Sequence, residues 1–189
     1  DETLQLSAGT LDNTGGHLIQ SGGGIARLGI SDTLDNSTGE ITSEGALNLL
    51  AGSIHNQQGA ISSRGSVSIQ GRTGGAGMLQ NQSGTIVAGS GDAAPADLSL
   101  SGLDSISNTA GGSISASGNL ILAGNVLNNA SGSMGAAGAL QITATTLTND
   151  QGQLLGNQGV LLQTGLLSNR DQGQIGSANS SVRIDSGTV

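Results

Sequence analysis

The chain lacks cysteine, lysine and every aromatic residue, and it has one proline among 189 residues. Without cysteine it cannot form disulfides, thiolate metal sites or a cysteine nucleophile. Without phenylalanine, tyrosine or tryptophan, any core must be built from aliphatic side chains. Glycine, in contrast, fills 34 positions, which is far more than an ordinary globular domain uses.

Positive charge is also scarce. Five arginines face thirteen acidic residues, so the formal net charge is −8. This acidic and dispersed charge does not suit a phosphate backbone, and we expect no nucleic-acid partner. No apolar run reaches the roughly 20 residues that span a bilayer, and residues 1–10 lack the basic and apolar regions of a signal peptide.

What the chain does contain is a repeat of about 20 residues. An apolar residue followed two positions later by asparagine occurs eight times. The asparagines are Asn13, Asn36, Asn56, Asn81, Asn108, Asn129, Asn149 and Asn169. In most copies a glycine stands five positions after the apolar residue, and another apolar residue stands seven after it, so the copies share one structure.

Short stretches of period-two alternation follow in each repeat, as in Leu47/Leu49 and Val67/Ile69. Period two indicates strands, and no stretch has the 3.6-residue period of a helix. Three short strands per repeat fit one turn of a solenoid. The sequence therefore predicts an all-β fold, a parallel β-helix of about eight coils. We expect residues 1–189 to form one segment of a longer solenoid.

If equivalent residues of successive coils stack on one another, each repeated position forms a column along the rod. The aliphatic columns form the core, and the asparagines, which share parity with the inward residues, should form an internal hydrogen-bonded ladder. We expect the glycine columns to adopt positive φ. Two places strain this register, because simple alternation would point Arg27 and Gln163 inward, and local bulges or shortened strands are predicted there.

The repeat "LDNSTGEITSEGALNL" resembles the filamentous haemagglutinin repeats of two-partner-secretion exoproteins in Gram-negative bacteria. That family includes filamentous adhesins and the long effectors of contact-dependent growth inhibition, whose β-helical stalk carries a receptor-binding region and a toxin. The resemblance implies that the parallel β-helix is right-handed. It also implies a secreted, extracellular or outer-membrane-associated location. It also implies an outer-membrane transporter as export partner and a host or neighbouring bacterial surface as target.

Few residues offer chemistry. His17 and His55 occupy different positions in the repeat, so we expect no shared metal or acid/base site and predict no cofactor. The glycine-rich residues 71–77 lack the GK[ST] ending of a phosphate loop and read as a bulging insertion. A polysaccharide-processing β-helix enzyme is the alternative from another class, but the chain has no aromatic platform for sugar rings. We therefore expect no enzyme.

One segment departs from the repeat. Residues 89–97 read as an inserted loop with the only proline, and Asp92, Pro95 and Asp97 form a candidate contact loop. Elsewhere the outward rows are Ser, Thr, Gln and Asn, which suit either glycan contacts or solubility. The interpretation is a rigid stalk or adhesive segment mediating cell contact. Within the family, the alternative is a delivery stalk for a growth-inhibition toxin.

Overall fold

A computed structural model describes residues 2–72, 77–91 and 94–189, and in these residues every regular element is a β-strand. All strand pairs are parallel, and each strand pairs with the equivalent strand of the preceding and following coil. The chain winds through three faces per coil. The predicted parallel β-solenoid is confirmed.

The first face is a stack of nine strands. They are β1 (Leu4–Ala8), β4 (Ala26–Ile30), β7 (Leu47–Ala51), β10 (Val67–Gly71), β13 (Leu98–Ser107), β15 (Leu120–Asn128), β17 (Leu140–Thr148), β19 (Val160–Ser168) and β21 (Val182–Thr188). The first face thus has nine strands where eight coils were expected, because β1 precedes the first asparagine and β21 follows the last.

The second face begins with short strands that pair in the order of the chain. They are β2 (Leu11–Asp12), β5 (Thr33–Asp35), β8 (Ser53–His55) and β11 (Met78–Gln80). From β13 onward the first and second faces lie in one strand that continues around the corner, and β11 pairs with the second half of β13. At this corner the strand is therefore interrupted in the first four coils and continuous in the later ones.

The third face forms a separate sheet of eight strands. They are β3 (His17–Gln20), β6 (Glu40–Ser43), β9 (Ala60–Ser63), β12 (Thr85–Ala88), β14 (Ser113–Ala116), β16 (Ser133–Ala136), β18 (Gln153–Gly156) and β20 (Gln174–Ser177). The turn that carries each ladder asparagine leads into one of these strands.

The core consists of aliphatic columns in which each side chain packs on its equivalents above and below. One column of the first face is aliphatic in all nine strands. It contains Leu6, Leu28, Leu49, Ile69, Leu100, Leu122, Ile142, Leu162 and Ile184. Burying one such side chain fully contributes about 1.5–3 kcal/mol, so the repeated columns stabilise every interior coil.

The expected register problem at Arg27 is absent, because Arg27 is exposed and its neighbours Ala26 and Leu28 fill the core. Between Gln20 and Ala26 the chain has two residues more than the next coil has between Ser43 and Leu47. The turn at residues 22–24 absorbs them, so the irregularity lies in the turn and not in the strand.

The predicted irregularity at Gln163 is wrong. Gly159 is the residue directly before β19, the place that Ala139 has before β17, and its carbonyl accepts a hydrogen bond from Leu140. Val160 and Leu162 therefore point inward, and Gln163 faces solvent. Gly138 stands two residues before β17, whereas Gly159 stands directly before β19, so alternation counted from Gly159 has the opposite phase.

Candidate functional surfaces and the asparagine ladder

The eight repeat asparagines lie in one column inside the turn between the second and third faces. Each Nδ2 donates to Oδ1 of the next asparagine, from Asn13 to Asn169, over 2.7–2.8 Å. The six interior members, Asn36, Asn56, Asn81, Asn108, Asn129 and Asn149, are completely buried. The ladder therefore gives these buried side-chain amides the hydrogen-bond partners that water cannot supply.

Six of the eight amides also bond to backbone carbonyls of two coils, their own and the next. Asn36 Nδ2 lies 3.3 Å from the carbonyl of Gly39 in its own turn and 3.1 Å from the carbonyl of Ala60 in the next coil. The backbone N–H of Asn36 donates to the carbonyl of His55 over 2.7 Å. One side chain thus closes its own turn and fixes the distance to the following coil.

The residue two positions after each ladder asparagine adopts a left-handed backbone conformation. Seven of these eight residues are not glycine, and the first is Gly15. The others are Thr38, Gln58, Ser83, Ala110, Ser131, Gln151 and Asp171, with φ between 51° and 58°. This conformation costs a non-glycine residue about 1–2 kcal/mol, so the stacked turn must offset that cost.

The glycine three positions after the asparagine has a different role from the expected one. None of Gly39, Gly59, Gly84 or Gly132 has positive φ, so that prediction is wrong. A Cβ at Gly39 would lie 2.1 Å from the carbonyl oxygen of Asn13, and the other positions show the same approach. The column is glycine because the backbone of the preceding coil occupies the space of a side chain.

Small residues fill the corner at the end of each third-face strand, and Gln20 is the one large exception. Its Oε1 accepts a hydrogen bond from Ser43 Oγ over 2.7 Å, while its Nε2 donates to the carbonyl of Glu2 over 2.9 Å. Gln20 therefore joins the corner of its own coil to Ser43 in the next coil and to the backbone at Glu2.

Carboxylates cap the same turns from outside. The backbone N–H of Thr14 donates to Asp12 over 2.9 Å and holds the pKa of Asp12 below its usual range. Ser37 lowers the pKa of Asp35 through its hydroxyl and its backbone N–H, with a smaller contribution from His55. These carboxylates stabilise the turns as anions.

Asp150 caps the turn of the following coil. Its Oδ1 accepts hydrogen bonds from the backbone N–H of Arg170 over 2.8 Å and from Ser168 Oγ over 2.7 Å. The Arg170 N–H, followed by the Ser168 hydroxyl, lowers the pKa of Asp150. This carboxylate links two coils rather than two residues of one turn.

The two histidines lie on different faces, His17 in β3 and His55 in β8. His17 Nδ1 is 2.9 Å from Glu40 Oε2, and His55 Nδ1 is 3.9 Å from Asp35 Oδ2. The Thr42 hydroxyl, followed by His17, lowers the pKa of Glu40. Across residues 2–72, 77–91 and 94–189 no three His, Asp or Glu side chains are grouped so that they could hold a metal ion.

Of the candidate contact loop, Asp92 lies outside the described residues, as do residues 73–76 of the glycine-rich segment. Pro95 is exposed. Asp97 belongs to the coil, because its carbonyl accepts from the N–H of Val67 over 3.0 Å and its Oδ1 accepts from the N–H of Asn119 over 2.6 Å. The Asp97 side chain is thus engaged in connecting coils.

Together the parallel faces, the aliphatic columns and the internal ladder define a β-solenoid rod. The sequence model of the haemagglutinin repeat matches residues 1–36, 24–76, 65–124 and 121–188. The chain therefore belongs to the haemagglutinin repeat family. No curated protein and no solved structure matches it. Among the described residues there is no helix long and apolar enough to cross a membrane.

Proposed function

We propose that the chain is a rigid stalk segment of a secreted filamentous exoprotein of a Gram-negative bacterium, and that its faces contact other cells. The observation that carries the proposal is the unbroken asparagine ladder, which joins eight consecutive turns. Membership of the haemagglutinin repeat family, a structural repeat, supports the same function.

A stalk must hold its two ends at a fixed distance from each other without bending. Strands stack at about 4.8 Å, so nine coils give a rod of roughly 40 Å, and further coils would lengthen it in proportion. Each coil is tied to its neighbours by backbone pairing, by the core columns and by the ladder. Bending the rod requires all three to deform together, and this coupling gives the stiffness that a stalk needs.

Family membership supports two proposed partners. An outer-membrane transporter of the two-partner type exports the chain, and a host or bacterial surface receives it. The absence of cysteine suits export, because no disulfide can trap the chain in the periplasm. Coils whose contacts are mostly with adjacent coils can also fold one after another as they emerge from the transporter.

Saturable binding to cells tests the adhesive part of the proposal. The labelled chain is titrated onto epithelial cells and onto related bacteria, with excess unlabelled chain as competitor. We expect saturable binding to one of these surfaces that the competitor abolishes. Binding that rises linearly and resists competition on both surfaces contradicts an adhesive role and leaves a stalk alone. Killing of related bacteria by the full-length parent protein would instead favour the toxin-delivery stalk.

A further inference from the structure

The first face bears a shallow depression of about 370 Å³ over its N-terminal coils. It lies around Gly29, where one outward position of β4 has no side chain. The side chains that border it and matter for its chemistry are Gln5, Arg27, Asn48, Leu50 and Gln70. Elsewhere the outward positions of these strands carry side chains, so the depression depends on this glycine.

Packing does not require glycine at position 29. A Cβ there would meet only Ser7 Oγ at 3.7 Å and the carbonyl of Leu6 at 3.8 Å, which are ordinary contacts, and φ is not positive. The contrast with Gly39 is direct, since a Cβ on Gly39 would collide with backbone. A glycine that packing does not require lowers the stability of a strand. Ligand binding in the depression gives Gly29 a function that offsets this cost.

The charge at this place is unusual for the chain. The strands β1, β4, β7 and β10 contain no carboxylate, and Arg27 is their one charged residue. Among the described residues the ion pairs of arginine involve Arg64 and Arg183, not Arg27. A cation without an acidic partner in an acidic protein favours an anionic ligand.

The amide side chains around Arg27 indicate which other groups the ligand carries. Register places Gln5 and Asn48 directly beside Arg27 on the two neighbouring strands, and Leu50 directly beside Gly29. Amide groups both donate and accept hydrogen bonds, as sugar hydroxyls require. Leu50, which is 36% exposed, offers an apolar surface to the C–H face of a ring.

The geometry points to a binding site for a carboxylated sugar unit of a cell-surface glycan. Arg27 pairs with the carboxylate, Gln5, Asn48 and Gln70 bind hydroxyls, and the ring lies over Gly29 against Leu50. The inference rests on the proposed function, because it names the ligand class through which the stalk contacts cells. Single-site affinity is low, and contact between many molecules on two surfaces raises it.

The test follows the side-chain amide signals of Gln5 and Asn48 by NMR while glucuronate, glucose or acetate is added. We expect concentration-dependent shifts with glucuronate and much smaller shifts with glucose and acetate. Equal shifts with acetate would reduce the site to simple ion pairing and overturn the inference. No shift with glucuronate would overturn it as well.

Two variants locate the site without damaging the fold. Arg27→Gln removes the charge, and Gly29→Thr fills the depression with a residue that strands favour. Arg27→Gln should weaken glucuronate binding by about tenfold or more, the loss of roughly one charge-assisted contact. Gly29→Thr should weaken it by a similar factor, because its side chain occupies the place of the sugar ring. Arg183→Gln, which changes net charge equally on the same face, should have no effect. Unchanged binding in Arg27→Gln and Gly29→Thr contradicts the site.

The same variants separate this inference from the proposed function. If the chain binds cells saturably and both Arg27→Gln and Gly29→Thr bind equally well, the adhesive function stands and the sugar site is wrong. If glucuronate binds at the depression but no cell surface binds the chain, the site stands and the adhesive function is wrong.

Discussion

Asn56 Nδ2 donates to Asn81 Oδ1 over 2.7 Å, although 25 positions separate the two residues. The preceding link, from Asn36 to Asn56, has the same length and spans 20 positions. The next, from Asn81 to Asn108, spans 27. Coils of different length therefore keep one ladder geometry, because the extra residues lie outside the stacked turn.

Replacing an interior ladder residue should weaken the whole rod. We expect Asn129→Leu to lower the free energy of unfolding by about 1–3 kcal/mol, because backbone carbonyls of Gly132 and Gln153 lose their buried donor. Denaturant unfolding measures the change. Asn179→Leu, at an exposed asparagine, is the control and should stay within about 0.5 kcal/mol. Equal stability of Asn129→Leu and the unmodified chain would contradict the role of the ladder.

Adjacent residues of one turn should respond in opposite directions. Gly39→Ala forces a Cβ to within 2.1 Å of the Asn13 carbonyl and should destabilise by about 1–3 kcal/mol or more. Thr38→Gly relieves a left-handed β-branched residue and should stabilise by about 0.5–1 kcal/mol after the entropy cost of glycine. Thermal unfolding of the two variants in parallel checks the signs. Stabilisation by Gly39→Ala would show that the Asn13 carbonyl does not occupy the space beside Gly39.

Acid should destabilise the rod through its turn caps. Hydrogen bonds lower the pKa of Asp12, Asp35 and Asp150 in the folded state. The unfolded chain therefore takes up protons first as the pH falls, and stability decreases below about pH 4. The triple variant with asparagine at these positions should lose less stability between neutral pH and pH 3. Identical pH profiles for the two proteins would exclude the caps as the cause.

Two adjacent residues of β15 allow a core position and a surface position to be compared. Leu120 is completely buried and Ile121 is 42% exposed. Leu120→Asp places an unpaired charge in the core and should abolish cooperative unfolding, whereas Ile121→Asp should preserve it. If folding drives export, Leu120→Asp also lowers the amount of protein that the proposed transporter releases. Equal release of both variants would count against folding-driven export.

The sequence predicted the solenoid and the family because both depend on periodicity, and the columns of aliphatic residues and asparagine repeat that period throughout. It failed where the cause lies between coils. The glycine column was assigned to positive φ, since no pattern reveals that the Asn13 carbonyl occupies the space beside Gly39. The orientations of Arg27 and Gln163 depended on turn lengths near Gly22 and Gly159, which alternation alone does not fix.

The sequence also could not predict the surface depression. Gly29 is indistinguishable in sequence from the glycines that close turns, and its significance depends on the space around it. Simple alternation pointed Arg27 inward, whereas Arg27 is exposed and its strand carries no carboxylate. The proposed site also needs Gln5, Asn48 and Leu50, which the strand register places beside Arg27 and Gly29.

Hydrogen exchange of the asparagine side-chain amides, followed by NMR, tests most directly whether an internal ladder joins the coils into one rod. The account predicts that the Nδ2 protons of the interior asparagines, from Asn36 to Asn149, exchange only through global unfolding, while those of Asn179 exchange at once. Rapid exchange of the interior Nδ2 protons in the folded protein would contradict the ladder and, with it, the rigid stalk.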